Sequence, residues 1–372
     1  MENENAFKHR VNEDLVRRLA SATKAAWPLF DSKGFLRAVV AELEPLELKA
    51  RIDFVTKQWA ARLPSSYGEA LPVVLATMGP PLTNDTDVSQ SAFYHWLHAH
   101  FVQCFGLEHP QLSLSAMVEI TQRSTAEFCV RPFFERYPRE TLAFLKRLRT
   151  HASPHVRRWV SEGSRPRLPW GLRLQAFIKD PTPVLGLITP LRADPSLYVR
   201  NSVANNLNDI AKDHPDIVVE TMRSWLSETK NTHAPWLAKR ALRHLVKQGH
   251  AGALQTLGFG AGTQAKLVAL RLERPRVRVG DHIEFEVLLR GRAPEKVNVD
   301  YAVTYQLAAG KTGQKVFKLK VLDLKQGQTV LLRKRHSLKP ITTRRYYAGE
   351  HSITILANGQ SLGSLKFDLA LR

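Results

Sequence analysis

Two glutamates stand in stretches of the chain that are otherwise rich in arginine. Glu127 lies four residues after Arg123 and four residues before Arg131, and Glu162 follows Arg158 by four residues. A carboxylate among cations can stabilise positive charge that develops during a reaction, and it can orient a water molecule for attack. A spacing of four is also typical of ion pairs on a helix surface, so a salt-bridge ladder through Glu127 and a surface pair of Glu162 with Arg158 are the alternatives.

A third acid ends a helical segment that contains four asparagines. Asp209 follows Asn201, Asn205, Asn206 and Asn208. Asparagine is unfavourable inside a helix because its side chain competes for backbone hydrogen bonds. A helical segment that contains unfavourable residues without an evident compensating interaction is a candidate functional segment. The alternative is a ladder of asparagines that tightens the packing of neighbouring helices.

Arginines and tryptophans crowd the same part of the chain. Residues 123–179 hold 13 basic and 4 acidic residues. A guanidinium group can bond two phosphate oxygens at once, so we expect phosphate contacts here, with a solvated basic surface as the alternative. Trp159 follows two arginines, and Trp170 ends a loop rich in proline and arginine. Each is a candidate aromatic contact, and core packing is the alternative for each.

The whole chain carries a large excess of positive charge. Its 372 residues include 54 Lys and Arg against 34 Asp and Glu, for a net charge of +20. Such an excess favours a polyanionic partner, either nucleic acid or an anionic membrane surface, over a generic basic surface. The chain has no P-loop, dinucleotide fingerprint or HExxH motif. The close histidines at 95, 98 and 100 do not share one helix face, so we expect no metal and no cofactor.

Cysteine content and hydropathy predict a soluble cytoplasmic protein. Cys104 and Cys129 are too few for a disulfide framework or a zinc finger, and they fit a reducing compartment. The acidic N-terminal residues lack the apolar core of a signal peptide. The longest apolar stretch, 71–78, is too short to span a bilayer.

Before residue 258, apolar residues recur at helical spacing. A Val-Arg pair behind a proline occurs at 156–157 and again 43 residues later at 199–200, and a third proline-headed segment begins at Ala234. Asp194 is the expected N-cap of the second copy, and Pro195 is its expected first helical residue. Helices that repeat at about 40 residues are typical of HEAT-like solenoids. A further helical stretch is expected at 36–59.

After the glycine-rich stretch at 258–263, apolar residues alternate instead. Seven strands are expected, at 266–272, 282–290, 296–307, 315–324, 328–338, 350–358 and 364–371. The chain therefore reads as a multidomain protein, an all-α HEAT-like solenoid at 1–257, a linker at 258–263 and an all-β immunoglobulin-like sandwich at 264–372. Because residues 264–372 hold 21 basic and 9 acidic residues, we expect the sandwich to be an auxiliary contact for nucleic-acid phosphates, with a generic basic surface as the alternative.

Three segments resemble one known family. They read TAEFCVRPF at 125–133, PHVRRWVSEGSRPRLPW at 154–170 and VRNSVANNLND at 199–209. Through them the chain resembles the AlkC family of bacterial alkylbase DNA glycosylases over essentially its whole length. The related D-type branch lacks the sandwich and carries a Trp-x-x-x-Asp pattern, where this chain reads Trp159-Val160-Ser161-Glu162.

The resemblance implies excision of cationic methylated bases, chiefly 3-methyladenine and 3-methylcytosine, from duplex DNA without extrusion of the base into a pocket. It implies a catalytic set of Glu127, Glu162 and Asp209. It implies contacts to the base or sugar from Trp170, Trp159 and Phe128. Phosphate contacts are expected from Arg157, Arg158, Arg165, Arg167 and Arg200. We expect the protein to be a monomer. The alternative function is a non-catalytic HEAT-repeat and immunoglobulin-like scaffold that binds DNA or an acidic protein.

Overall fold

The computed structural model describes residues 6–85, 92–228, 230–341 and 344–371, which form two compact units, Met1–Asp213 and His214–Arg372. The first unit is helical, and the second holds the last helices and all the strands. The predicted order of a helical part followed by an all-β part is confirmed. The predicted domain boundaries stay a prediction. Within the described ranges, the helices all fall short of the length and apolar character that a bilayer span needs.

The described residues form sixteen α-helices. They are α1 (Glu13–Ala26), α2 (Ser32–Leu43), α3 (Leu48–Ala60), α4 (Tyr67–Ala76), α5 (Ala92–Phe105), α6 (Pro110–Thr121), α7 (Arg131–Arg136), α8 (Pro138–Arg147), α9 (Pro154–Gly163), α10 (Gln175–Lys179), α11 (Thr182–Ile188), α12 (Leu197–Ile210), α13 (Pro215–Ser227), α14 (Ala234–Ala241), α15 (Arg243–Lys247) and α16 (Ala251–Thr256). Short 3₁₀ helices lie at Phe7–Arg10, Leu148–Thr150, Thr189–Leu191 and Ala308–Gly310. The single helical stretch expected at 36–59 is two helices, because Pro45 cannot continue the first.

Helices α9 and α12 hold equivalent places in successive repeats and pack side by side. The apolar face of α12 is buried, with Val199, Val203 and Leu207 fully enclosed. The start of α12 differs from the prediction, since the N-cap is Ser196, whose hydroxyl accepts from the Val199 amide. The Asp194 carboxylate instead accepts from the Ser196 amide at 2.9 Å and from Arg157. Asp194 therefore holds the turn ahead of the helix.

The strands form two sheets with a shared apolar core. They are β1 (Lys266–Leu272), β2 (Arg276–Arg278), β3 (His282–Arg290), β4 (Glu295–Gln306), β5 (Thr312–Leu324), β6 (Thr329–Ser337), β7 (Gly349–Ala357) and β8 (Gln360–Ala370). One sheet has the order β1-β3-β6 and the other β2-β8-β7-β4-β5. Side chains such as Phe285, Tyr301 and Phe367 fill the space between them. Seven strands match the prediction. The eighth, β2, has three residues and shows too little alternation to be read from the sequence.

Two glycines bring a helix end against the hairpin between β7 and β8. Asn358 and Gly359 both have positive φ, 45° and 80°, as expected for an Asn-Gly hairpin turn. Gly249, which follows α15, has φ of 73°. A Cβ atom added at Gly359 would lie 2.3 Å from the Gly249 Cα. Only glycine at both positions permits this approach of the two backbones.

Replacing Gly359 by alanine is expected to destabilise the second unit more than replacing Gly327. Gly327 has a similar φ of 78°, but nothing lies within 4 Å of an added Cβ. Gly327→Ala should therefore lose only about 1–2 kcal/mol from the left-handed backbone. Gly359→Ala adds a collision with the Gly249 backbone. Denaturant unfolding followed by circular dichroism measures both losses, and equal losses would contradict the role assigned to the glycine contact.

Candidate active site

A continuous series of buried or half-buried ion pairs runs through the helical unit. Acids and bases alternate along it. In order, its members are Glu127, Arg158, Glu162, Arg165, Asp209 and Lys212. We call this set the ion-pair chain. The structure thus brings together the three predicted catalytic acids and two of the five arginines predicted to bind phosphate.

Glu127 lies at the first end of the chain, in the loop before α7. Its Oε2 accepts from Arg158 and, at 2.8 Å, from the hydroxyl of Thr125. The Arg158 guanidinium lies 5.2 Å from the centre of the Tyr198 ring. The charges of Glu127 and Glu162 raise the pKa of Arg158 despite its burial. The alternative of a surface ladder along one helix is wrong, because residue 127 precedes α7 and its ion pair crosses to α9.

Glu162 lies in the last turn of α9 and is 5% exposed. Its Oε1 accepts from Arg165 at 2.6 Å and lies 3.4 Å from Arg158, and its Oε2 accepts from the Ser202 hydroxyl at 2.6 Å. Burial acts to raise the pKa of the Glu162 carboxyl, but the two arginine charges and the hydrogen bonds outweigh it and hold the pKa below its ordinary value. The predicted pair with Arg158 exists, but it is buried, and Glu162 is ionised at neutral pH.

Asp209 lies near the end of α12 and is 2% exposed. Its Oδ2 accepts from Arg165 Nε at 2.8 Å, and its Oδ1 accepts from Lys212 at 2.9 Å. Arg165 therefore bridges an acid on α9 and an acid on α12. Its own pKa is raised, since burial is outweighed by the charges of Glu162 and Asp209.

One asparagine of α12 links that helix to α9 through hydrogen bonds. The Asn206 amide donates to the Ser161 carbonyl at 2.7 Å and to the Ser164 hydroxyl at 3.3 Å. Asn206 is fully buried, whereas Asn201 and Asn205 are half-buried. Packing between repeats thus explains why an asparagine occupies position 206. Asn206 in turn sets the spacing between the helices that carry Glu162 and Asp209.

Arg131 positions the loop that follows α9, a role that its spacing in the sequence does not reveal. The side chain is fully buried and donates to the carbonyls of Gly163 at 3.0 Å, Arg165 at 2.9 Å and Leu172. Burial and the charge of Arg165 lower the pKa of Arg131 to about 10, so it remains a cation. The loop it holds carries Arg165 inward and leaves Trp170 61% exposed, with φ of 66°.

The other predicted phosphate ligands lie apart from the ion-pair chain. Arg157 makes two hydrogen bonds to the Asp194 carboxylate, at 2.6 and 3.0 Å, and Arg200 donates to the carbonyls of the same turn. Arg167 makes two hydrogen bonds to Asp213, at 2.7 and 2.6 Å. Each of these arginines is thus held by the fold in this structure, and a phosphate contact stays a prediction.

The predicted aromatic contacts differ in exposure. Trp159 is fully buried, so a base could reach its ring only after rearrangement. Phe128 is half-buried and stacks on Trp96 with 5.5 Å between ring centres. Trp170 is the most exposed of the three predicted contacts.

One group among the described residues has donors suited to a metal ion. Asp53, His100 and Cys104 place one ligand atom each within 4.8 Å of one another. The Asp53 carboxylate already pairs with Lys57 at 2.7 Å. None of these residues belongs to the ion-pair chain.

Comparison with known proteins identifies the family. Residues 266–371 match the family model described as "Uncharacterised protein YhaZ, C-terminal Ig-like domain", which confirms the predicted immunoglobulin-like sandwich. The chain is 35% identical to the YhaZ protein of Bacillus subtilis (strain 168) over 98% of its own length and 99% of that protein.

A solved structure covers the whole fold as well. It is the Pseudomonas fluorescens alkylpurine DNA glycosylase AlkC bound to DNA containing an abasic site analog, with 36% identity, a TM-score of 0.90 and coverage of 98% of this chain and 99% of that one. The similarity spans both the HEAT-like helices and the sandwich. This protein therefore belongs to the AlkC family.

Proposed function

We propose that this protein is a monofunctional DNA-repair glycosylase that hydrolyses the N-glycosidic bond of cationic N3-methylated bases, chiefly 3-methyladenine and 3-methylcytosine, in duplex DNA. The observation that carries the proposal is the ion-pair chain, in which Arg158 and Arg165 link three buried or half-buried carboxylates. Membership of the AlkC family supports the reaction class. The protein acts as a cytoplasmic monomer.

The chemistry requires stabilised positive charge rather than a strong acid. Methylation at N3 gives the base a positive charge, so the base leaves as a neutral molecule that keeps the electron pair of the broken bond. The sugar acquires oxocarbenium character, as in other glycoside cleavage. Ionised carboxylates stabilise that charge, and one of them takes a proton from the water that attacks C1′. The products are the free base and an abasic site.

The acids of the ion-pair chain take these roles. Glu162 is the central acid, because it contacts both arginines and its lowered pKa keeps it anionic at neutral pH. Glu127 and Asp209 lie on either side of Glu162 in the ion-pair chain, and each adds a further negative charge. Trp170 and Phe128 contact the base or sugar from the surface without a pocket for an extruded base. The arginines predicted to bind phosphate hold the flanking backbone.

The sandwich adds affinity that does not depend on DNA sequence. Arg333 and Arg335 point from β6 to solvent, 74% and 63% exposed, beside Glu286 and Glu284 of β3. Each phosphate contact that they make should steepen the salt dependence of DNA binding.

Glu162→Gln is expected to slow base release at least a hundredfold in single-turnover assays on DNA that carries 3-methyladenine. The amide keeps the shape of the side chain but removes the charge that stabilises the sugar cation. Affinity for the DNA should remain within a few-fold. Because a buried guanidinium loses its partner, the free energy of unfolding should fall by about 3–5 kcal/mol, so the rates are compared where circular dichroism shows the variant folded.

The matched control for this variant is Glu108→Gln. Glu108 pairs with Arg136, is 65% exposed and lies outside the ion-pair chain, so its rate should equal that of the wild type. Full activity of folded Glu162→Gln would remove Glu162 from the mechanism. Absence of base release by the wild type from any alkylated duplex would favour the non-catalytic scaffold.

The single-turnover rate is expected to stay constant as the pH falls from about 8 to about 5. The active form of Glu162 is the ionised one. Its pKa is held below the ordinary value of a glutamate, about 4.3, so activity is lost only at still lower pH. The rate is measured as the difference from spontaneous base loss in the same buffer. A decline centred near neutral pH would show that a different group controls the reaction.

A further inference from the structure

Five aromatic rings form a continuous row on the helical unit. In order they are Trp170, Phe7, Phe93, Trp96 and Phe128. Successive ring centres are 6.3, 6.0, 6.2 and 5.5 Å apart. We call these residues the aromatic row. Its three inner members, Phe7, Phe93 and Trp96, were not among the residues predicted to form the site.

Both ends of the aromatic row adjoin the ion-pair chain along the sequence. Phe128 directly follows Glu127, and Trp170 lies in the loop after α9, which also contains Arg165 and is held by Arg131. Between these ends, Phe93 and Trp96 lie one turn apart on α5. The row therefore links the two segments that deliver acids and arginines to the proposed active site.

The row is too exposed to be part of the hydrophobic core. Phe7 is 59% and Trp170 is 61% exposed, and the other three rings are half-buried. Contiguous exposed apolar surface on a soluble protein marks an interaction site. Trp170 also adopts the left-handed φ of 66°, with its carbonyl accepting from Lys49 at 2.8 Å. Such backbone strain at an exposed ring is typical of functional positions.

We propose that the aromatic row is a stacking surface for unpaired nucleobases of the DNA beside the lesion. Aromatic side chains stack on any base, because every base has a flat π-face. The net charge of +20 attracts the phosphate backbone that carries those bases and disfavours a cationic partner. The inference rests on the proposed function only in taking DNA as the ligand.

The test compares two undamaged, fluorescently labelled duplexes, one fully paired and one with a two-nucleotide bulge. Phe7→Ala in the full-length protein should weaken binding of the bulged duplex about tenfold and leave binding of the paired duplex unchanged. Phe7→Tyr, which retains a ring, should restore the affinity. Leu112→Ala removes an apolar side chain that is 51% exposed on α6, and it should change neither affinity.

Three results would overturn the proposal. They are no loss of affinity in Phe7→Ala, an equal loss for both duplexes, and a loss that Phe7→Tyr does not repair. Because Phe7 is exposed, the melting temperature of Phe7→Ala should equal that of the wild type, and a lowered one would indicate a structural role instead. The duplexes contain no alkylated base, so failure of the row leaves the Glu162 result untouched.

Discussion

Alternation of charge along the ion-pair chain is the constraint on which the rest of the helical unit depends. A buried ion without a partner costs several kcal/mol, and each inner member of the chain compensates the member on either side. Arg165 can bridge Glu162 and Asp209 only if α9 and α12 keep their spacing. Asn206 sets that spacing, and Arg131 fixes the loop from which Arg165 projects. The contacts that pack the two repeats against each other therefore also fix the geometry of the site.

The same ion pairs explain how buried acids can stay ionised, and so stabilise a cation, in a protein with a large net positive charge. Arginine charges hold Glu162 ionised in a place where water is scarce and electrostatic interactions are strong. A cationic sugar beside these carboxylates is stabilised by negative charges that are already in place. The site therefore needs little reorganisation during the reaction. Arginines that compensate the acids in the free protein also have donors suited to phosphate oxygens, so one residue type stabilises the site and attracts the substrate.

Periodicity in the sequence predicted the helices and strands more successfully than it predicted the contacts between them. Alternating apolar residues placed seven strands within a few residues of their bounds, because one side of each strand faces the core. At the start of α12, Ser196 caps the helix where Asp194 was expected, because Arg157 engages Asp194. The partner of Glu127 and the role of Arg131 depend on residues more than thirty positions away in the chain. Spacing along one helix carries no information about such pairs.

The most direct test of the account is the affinity for two abasic-site analogues in otherwise identical duplexes, one a cationic pyrrolidine and the other a neutral tetrahydrofuran. If ionised carboxylates await a sugar cation, the wild type should bind the cationic analogue at least tenfold more tightly, at a pH where the pyrrolidine is protonated. Glu162→Gln should lose most of that preference. Equal affinity of the wild type for the two analogues would contradict the central claim.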